Sequence, residues 1–184
     1  KLIFYIYDKT NEDEVSLAVK HRVICTLEEY LNYSNVYNYP ISPYYAERFK
    51  AGAKYFLIHD ENEYFTYGWI IDDCSQFNIK YFDSVVMVGK NNYIAFDFFT
   101  NEKHRKKGHY VEILAIIQNQ LPLNAKVVIY TAPSNYGSRK GILKAGFIEV
   151  GTCVKVRIKK IERIMKKNRI DFKAAIFATK NKKR

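Results

Sequence analysis

Apolar and polar positions along this chain follow two rhythms, and each predicts its own kind of element. The opening Lys1–Asp8, KLIFYIYD, is an aromatic and β-branched run that predicts a strand. In Glu12–Leu31, EDEVSLAVKHRVICTLEEYL, the apolar spacing predicts a helix, followed by a tyrosine-rich loop. Ser42 as a cap and Pro43 as first residue predict a second, short helix, with Gly52 as its stop. Lys54–Asp60 and Glu63–Asp72 predict an antiparallel hairpin, and Ser84–Lys90 a third strand.

Past a turn at Asn91 and Asn92, Tyr93–Phe99 is apolar on both faces except for Asp97, the pattern of a central strand. After Gly108, the apolar positions Val111, Leu114, Ala115 and Leu121 keep helical spacing, with Gln118 the polar exception, until Pro122. Lys126–Ala132 predicts a strand. Ser134–Phe147 predicts a short helix with Asn135 and Ser138 as caps and Gly146 as its end, and Phe147–Lys160 returns to strand alternation. No internal repeat or low-complexity linker interrupts this order, which implies one domain over residues 1–160 and a basic tail over 161–184. The tail reads either as a helix with Ile158, Ile161 and Met165 on one side, suited to an anionic surface, or as a partly disordered terminus.

Composition adds scale. A chain of 184 residues with 48% apolar content is long enough to bury one good core. The formal net charge is +11, yet from Lys155 onward there are 13 Lys and Arg against Glu162 and Asp171, leaving 17 basic and 17 acidic residues before that point. A neutral body argues against a nucleic-acid-binding face and leaves the excess charge to the tail. Cys25, Cys74 and Cys153 are far apart and form no C-x-x-C pair, which speaks against a disulfide framework or a zinc site and fits a reducing cytoplasm. The sequence shows no secretory h-region and no apolar run near membrane-span length, so neither a signal peptide nor a span is expected within it.

One corner carries candidate chemistry. The stretch DFFTNEKHRKKGHYVEIL, Asp97–Leu114, takes a predicted strand through five basic or potentially basic residues, Lys103 to Lys107, into a predicted helix. A helix start presents free backbone N–H groups and the positive end of the dipole, an arrangement that binds phosphate. Arg105, Lys106 and Lys107 add side-chain charge there, and Gly108 permits close backbone approach. The usual nucleotide cradles, G-x-x-x-x-G-K-S/T and G-x-G-x-x-G, are absent. Alone, the stretch also fits a solvated basic turn that caps a helix.

A second block changes that balance. Arg105, Gly108 and Tyr110 occupy the pattern Q/R-x-x-G-x-G/A, and NYGSRKGILKAGF, Asn135–Phe147, follows N-x-x-S-x-x-x-L-x-K-x-G-F through Asn135, Ser138, Lys144, Gly146 and Phe147, with Ile142 at the leucine position. With both blocks, the chain resembles the GNAT superfamily of N-acetyltransferases over about Lys54–Lys160. The resemblance implies an α/β fold with a mixed, mostly antiparallel central sheet flanked by helices, and acetyl-CoA as co-substrate. It implies that the coenzyme's pantetheine arm lies between two splayed strands, with Phe98, Phe99 and Thr100 as backbone partners. Arg105, Lys106, Lys107, Gly108, His109, Tyr110, Asn135 and Ser138 are then expected around the phosphates. Two positions depart from the family: Tyr110 stands where Gly or Ala is usual, and Ile142 where many members carry a tyrosine.

Acyl transfer to an amine needs a base, donors for the developing oxyanion and an acid for the leaving thiolate. Asp97, a carboxylate among aromatic residues, is the candidate base, with a structural ion pair as the alternative, and Tyr136 is the candidate acid. His104 flanks the loop, and Cys153 reads as an inert cysteine in an alternating strand. The expected acceptor is a small-molecule primary amine; tyrosines between Tyr30 and Tyr45 and in Glu63–Ile70 suit an amino sugar, with a protein or peptide amine left open. Two other readings stand beside this one: a basic module binding RNA or an anionic membrane surface, and a CoA-binding relative without turnover.

Overall fold

The computed structural model describes residues 2–10, 20–37, 42–72, 76–79, 84–87, 92–158 and 161–168. In chain order the elements are β1 (Leu2–Asp8), β2 (His21–Ile24), α1 (Leu27–Tyr37), α2 (Tyr44–Lys50), β3 (Lys54–His59), β4 (Tyr64–Ile71), β5 (Gln76–Ile79), β6 (Ser84–Met87), β7 (Asn92–Thr100), α3 (His109–Asn119), β8 (Lys126–Thr131), α4 (Tyr136–Lys144), β9 (Ile148–Ile158) and β10 (Ile161–Asn168). Eight of these strands form the main sheet in the order β10-β9-β1-β8-β7-β4-β3-β2. Its neighbours pair antiparallel except β7 and β8, which are parallel. A parallel pair needs a crossover between its strands, and α3 supplies it. This is the mixed, mostly antiparallel sheet that the two motif blocks imply.

Alternation along the strands divides the core between two faces. Phe4, Tyr55, Leu57, Trp69 and Phe96 point to the face covered by Tyr30 of α1 and Tyr45 of α2. Tyr5, Phe56, Ile58, Ala95 and Ile129 point to the other, covered by Ile113, Leu114, Ile116 and Ile117 of α3 and Ile142 of α4. Gln118, the polar exception in the α3 pattern, is buried and donates from Nε2 to the Ala145 carbonyl at 2.8 Å, tying α3 to the end of α4. Buried Lys9 donates from Nζ to the carbonyls of Gln118 and Asn119 at 3.0 and 3.3 Å. A cation thus meets the negative end of α3.

Several elements differ from the sequence expectation. His21–Ile24 lies within the helix expected over Glu12–Leu31 but is a strand paired with β3, and residues 11–19 lie outside the described set. Val23 and Ile24 satisfy helical spacing with Leu27 and Leu31, so only the free edge of β3 decides their conformation. The first helix starts instead at Leu27, where the Thr26 hydroxyl accepts from Glu29 N–H (3.1 Å) and the Glu29 carboxylate accepts from Cys25 N–H (3.2 Å). This is a variant of the capping box, in which the glutamate reaches the N–H one residue before the cap. The helix runs to Tyr37, so part of the expected tyrosine loop is helical, and Tyr30 meets Tyr45 and Tyr55 edge-on, both at 5.2 Å.

The second helix begins at Tyr44, with Pro43 as its cap residue, and the Ser42 carbonyl accepts from Tyr45 N–H at 3.0 Å. The strand expected in Ser84–Lys90 pairs as β6 with β5 in a separate two-stranded sheet. Neither reading of the stretch after residue 160, helix or partly disordered terminus, holds over Ile161–Asn168, which forms β10 by antiparallel pairing with β9. Residues 169–184 and Cys74 lie outside the described set, as does the Cys153 side chain. Among the described residues no helix is long and apolar enough to cross a membrane.

The boundary of α1 is directly testable. Thr26→Ala is expected to lower unfolding free energy by about 1 kcal/mol in urea denaturation, the usual loss on removing a helix cap. A helix running through Thr26, as the apolar spacing predicts, would instead be unaffected or stabilised by alanine.

Candidate functional site

The loop that leaves β7 is fastened before it turns. Asn101 N–H donates to the Phe65 carbonyl of β4 at 2.9 Å, and the Asn101 side chain accepts from Lys103 N–H at 3.4 Å. Lys106 (φ 64) and Gly108 (φ 97) then take left-handed conformations that swing the chain into α3. Among the described residues, the backbone N–H groups of Lys106, Lys107, Gly108, His109 and Tyr110 make no hydrogen bond. Lys9 compensates the far end of α3, and this row of free donors forms its positive end, with the Glu112 carboxylate in the first turn bound to His109.

Phe65 supports the loop from below. Its ring stacks on His104 at 4.2 Å and packs against His109 at 4.9 Å. His104 Nε2 lies 2.9 Å from Glu63 Oε1, and His109 Nδ1 lies 2.7 Å from Glu112 Oε2. The hydrogen bond from His104 holds the Glu63 carboxyl below its ordinary range. Both imidazoles are largely covered, with side chains 11% and 14% exposed, so they brace the loop rather than project from it.

Above the loop opens a cleft of about 730 Å³. Of the residues expected at the coenzyme, Phe98, Phe99, Thr100, Arg105, Lys106, Gly108, His109, Tyr110, Asn135 and Ser138 line it and Lys107 does not, nor do the candidate catalytic residues Asp97 and Tyr136. Arg105 folds back, donating from Nε to the Thr100 carbonyl at 3.3 Å and pairing with Glu102 at 3.1 Å. The Asn135 side chain caps α4 by accepting from Ser138 N–H at 3.1 Å. Sequence reasoning passed over Lys140, which with Lys144 one turn later adds two cations to the α4 wall. Their four-residue spacing is the signal that places both on one face.

Tyr110, where the related pattern has a small residue, is accommodated rather than obstructive. A Cβ at Gly141 of α4 would overlap the Tyr110 ring, and the Tyr110 hydroxyl lies 3.1 Å from Ser138 Oγ. The ring therefore tucks against α4, and burial pushes its phenol up to about 12, neutral at physiological pH. Phe98 meets it edge-on at 5.4 Å and in turn occupies the space where a Cβ of Gly68 would sit.

At the head of the cleft two neighbouring strands part. Parallel pairing of β7 with β8 ends at Ala95 with Ile129, so the β7 edge from Asp97 to Thr100 has no strand partner on that side. In the same place β7 carries one residue more than β4: Tyr67 opposes Phe99 and Trp69 opposes Phe96. Asp97 takes up the bulge in a left-handed conformation (φ 53), which an aspartate tolerates better than most residues. Its side chain is 48% exposed and contacts Arg48 of α2, Oδ2 to Nη1 at 2.6 Å. The bulge turns this carboxylate to the α1 and α2 face, where it meets a cation.

Tyr45, Tyr67 and Tyr130 surround this pair, and burial raises all three phenols, Tyr130 to about 12. Tyr64, Tyr67 and Phe99 form an adjoining aromatic wall with ring centroids 5.7–6.5 Å apart. Tyr136 opens α4 and is 70% exposed, its ring 6.0 Å from the Arg139 guanidinium.

No protein-family model matches the chain, and no curated protein matches it in sequence. Solved structures match it in fold. A functionally unknown conserved protein from Staphylococcus epidermidis ATCC 12228 superposes with a TM-score of 0.52 at 14% identity, covering 80% of this chain and 57% of that one. An acetyltransferase from the GNAT family from Colwellia psychrerythraea superposes with a TM-score of 0.50 at 15% identity, covering 81% of this chain and 53% of that one. The chain thus spans little more than half the length of either. At these identities the likeness establishes the fold, which is GNAT-like.

The packing of Tyr110 on α4 makes a paired prediction. Gly141→Ala is expected to destabilise by about 1–3 kcal/mol, since the added methyl must displace a buried ring. Gly137→Ala, four residues earlier with nothing within 4 Å of its Cβ, is expected to stabilise by about 0.5–1 kcal/mol. Urea midpoints of the two variants give the comparison.

Proposed function

We propose that this protein is an N-acetyltransferase that moves an acetyl group from acetyl-CoA to a primary amine. The observation that carries the reading is the coincidence, along one cleft, of the free N–H groups of Lys106, Gly108, His109 and Tyr110 at the start of α3 with the edge of β7 that β8 leaves without a strand partner. The first suits a diphosphate and the second an extended amide-bearing arm, and acetyl-CoA has both. The left-handed Gly108 keeps the loop clear of side chain at its closest approach, and Lys106, Lys140 and Lys144 supply countercharge, so the residues fit the group.

The coenzyme supplies the acetyl group as a thioester, already activated toward an amine. The rest of the chemistry falls to this chain. Asp97 accepts the proton that an arriving ammonium must lose, since only the neutral amine has a lone pair to attack with. The β7 edge beyond its pairing with β8 is the proposed source of N–H donors to the carbonyl oxygen as charge gathers on it. As the new N–C bond forms and the C–S bond breaks, nitrogen passes a second proton to water and sulfur takes one from a phenol, which regains it from water, leaving an amide and a thiol. Tyr136 is the proposed donor to sulfur, and Tyr110, a neutral phenol within the cleft, is its rival. An amino sugar is one acceptor suited to the Tyr64, Tyr67 and Phe99 wall. The cytoplasm, where acetyl-CoA and a reduced Cys25 are at home, is the proposed setting.

Calorimetry with acetyl-CoA tests the binding half; the expected result is one site per chain whose affinity falls as salt rises, and absence of heat refutes the reading. For turnover, Asp97→Asn is expected to reduce kcat by about 100-fold or more with the coenzyme Kd unchanged. Thiol release on an amine panel provides the measurement, and an unchanged kcat removes Asp97 from the base role. Comparing Tyr136→Phe with Tyr110→Phe in the same assay identifies the proton donor as the variant with the larger loss in kcat.

A further inference from the structure

The ion pair of Arg48 with Asp97 sits in surroundings that do not suit a merely structural link. Three aromatic rings hold the guanidinium: Tyr45 at 5.1 Å, Trp69 at 5.0 Å and Phe96 at 5.2 Å. Its contact with Asp97 runs through Nη1 alone, at 2.6 Å but without hydrogen-bond geometry, and no other donor of Arg48 forms a hydrogen bond among the described residues. The arginine side chain is 22% exposed and the aspartate 48%, so the pair opens toward its carboxylate side. A guanidinium presents five N–H donors in a planar fork matched to a carboxylate. Here the rings fix the fork in place with Nη1 buried against Asp97, and the hydrogen-bonding capacity of Nε and Nη2 is unfilled among the described residues.

Charge then selects what can settle on the pair. An ammonium without an anion reaches Asp97 only by crowding Arg48, and an anion without an amine reaches Arg48 only by crowding Asp97. A molecule that carries both charges meets each with its opposite and leaves none unpaired, which matters most where water is partly excluded. We propose that the acceptor is a small zwitterion of amino-acid type, its carboxylate taken by Arg48 and its amine by Asp97. The adjoining wall of Tyr64, Tyr67 and Phe99 suits an apolar or aromatic side chain on that molecule. This assignment rests on the acetyltransferase reading, and makes Arg48 the residue that sets acceptor specificity.

The test measures thiol release from acetyl-CoA by the full chain with the protein amino acids, their amides and glucosamine. At least one amino acid is expected to exceed its own amide and glucosamine in kcat/KM by about ten-fold or more, the discrimination typical of one well-made carboxylate contact. Arg48→Met is expected to raise KM for that amino acid and abolish its advantage over the amide, while the acetyl-CoA Kd stays as in the wild type. If the methionine variant melts early, Arg48→Lys, which keeps the charge and loses the fork, is expected to weaken the same preference. A preference for amides or glucosamine in the wild type, or an amino-acid preference that survives in both variants, overturns the inference and leaves the acetyltransferase reading standing. Absence of coenzyme binding defeats that reading instead. Calorimetry of the amino acids alone is the independent arm: heat that disappears in Arg48→Met supports the zwitterion site, and no heat with any amino acid overturns it.

Discussion

The site depends on one extra residue in β7. Between Phe96 and Phe99 the strand carries a position that β4 does not match, and Asp97 absorbs it by turning left-handed. An unbulged strand would send Asp97 toward the α3 face, among apolar rings, and Phe98 toward the α1 and α2 face. The bulge reverses this: Phe98 packs with Tyr110 beneath α3, while Asp97 meets Arg48 on the other side. Two residues before Asp97, pairing between β7 and β8 ends. The notch between the strands, the aromatic side of the cleft and the position of the carboxylate all sit at this one irregularity.

Small residues make the irregularity compatible with a packed interior. Gly68 leaves room for the Phe98 ring and Gly141 for the Tyr110 ring, so two bulky side chains occupy what would otherwise be Cβ positions of a strand and a helix. Interiors at crystal-like density allow such an exchange only when both partners change together. That is why an aromatic residue at Tyr110, in place of a small one, leaves the helix start accessible: the volume it adds is removed from α4. The electrostatics are divided in the same way along α3, with Lys9 closing one end and the unbonded N–H groups opening the other.

Much of this was legible along the chain. The strand Tyr93–Phe99, the loop charge, Gly108 and the capped helix after Asn135 are local features, set by alternation, backbone freedom and cap chemistry, and they recur in the structure where spacing puts them. Local rules misled where two patterns fit the same residues. His21–Ile24 reads as part of a helix until β3 offers it an edge, although the Thr26 and Glu29 capping box already marked a fresh start. The stretch after Lys160 has the apolar spacing of a helix at Ile161, Ile164 and Met165, and pairing with β9 overrides it.

By itself the sequence determined the element types over most of the chain, the basic loop and the two motif blocks, because those rest on neighbours a few residues away. Tertiary structure alone decided that Arg48 reaches Asp97, that Gly141 makes room for Tyr110, and that Asp97 faces water and a cation. Each of those joins residues tens of positions apart, and the last turns on a bulge that shifts side chains from one face of the sheet to the other. Alternation along a single strand cannot reveal such a shift, since the extra residue exists only relative to the strand beside it.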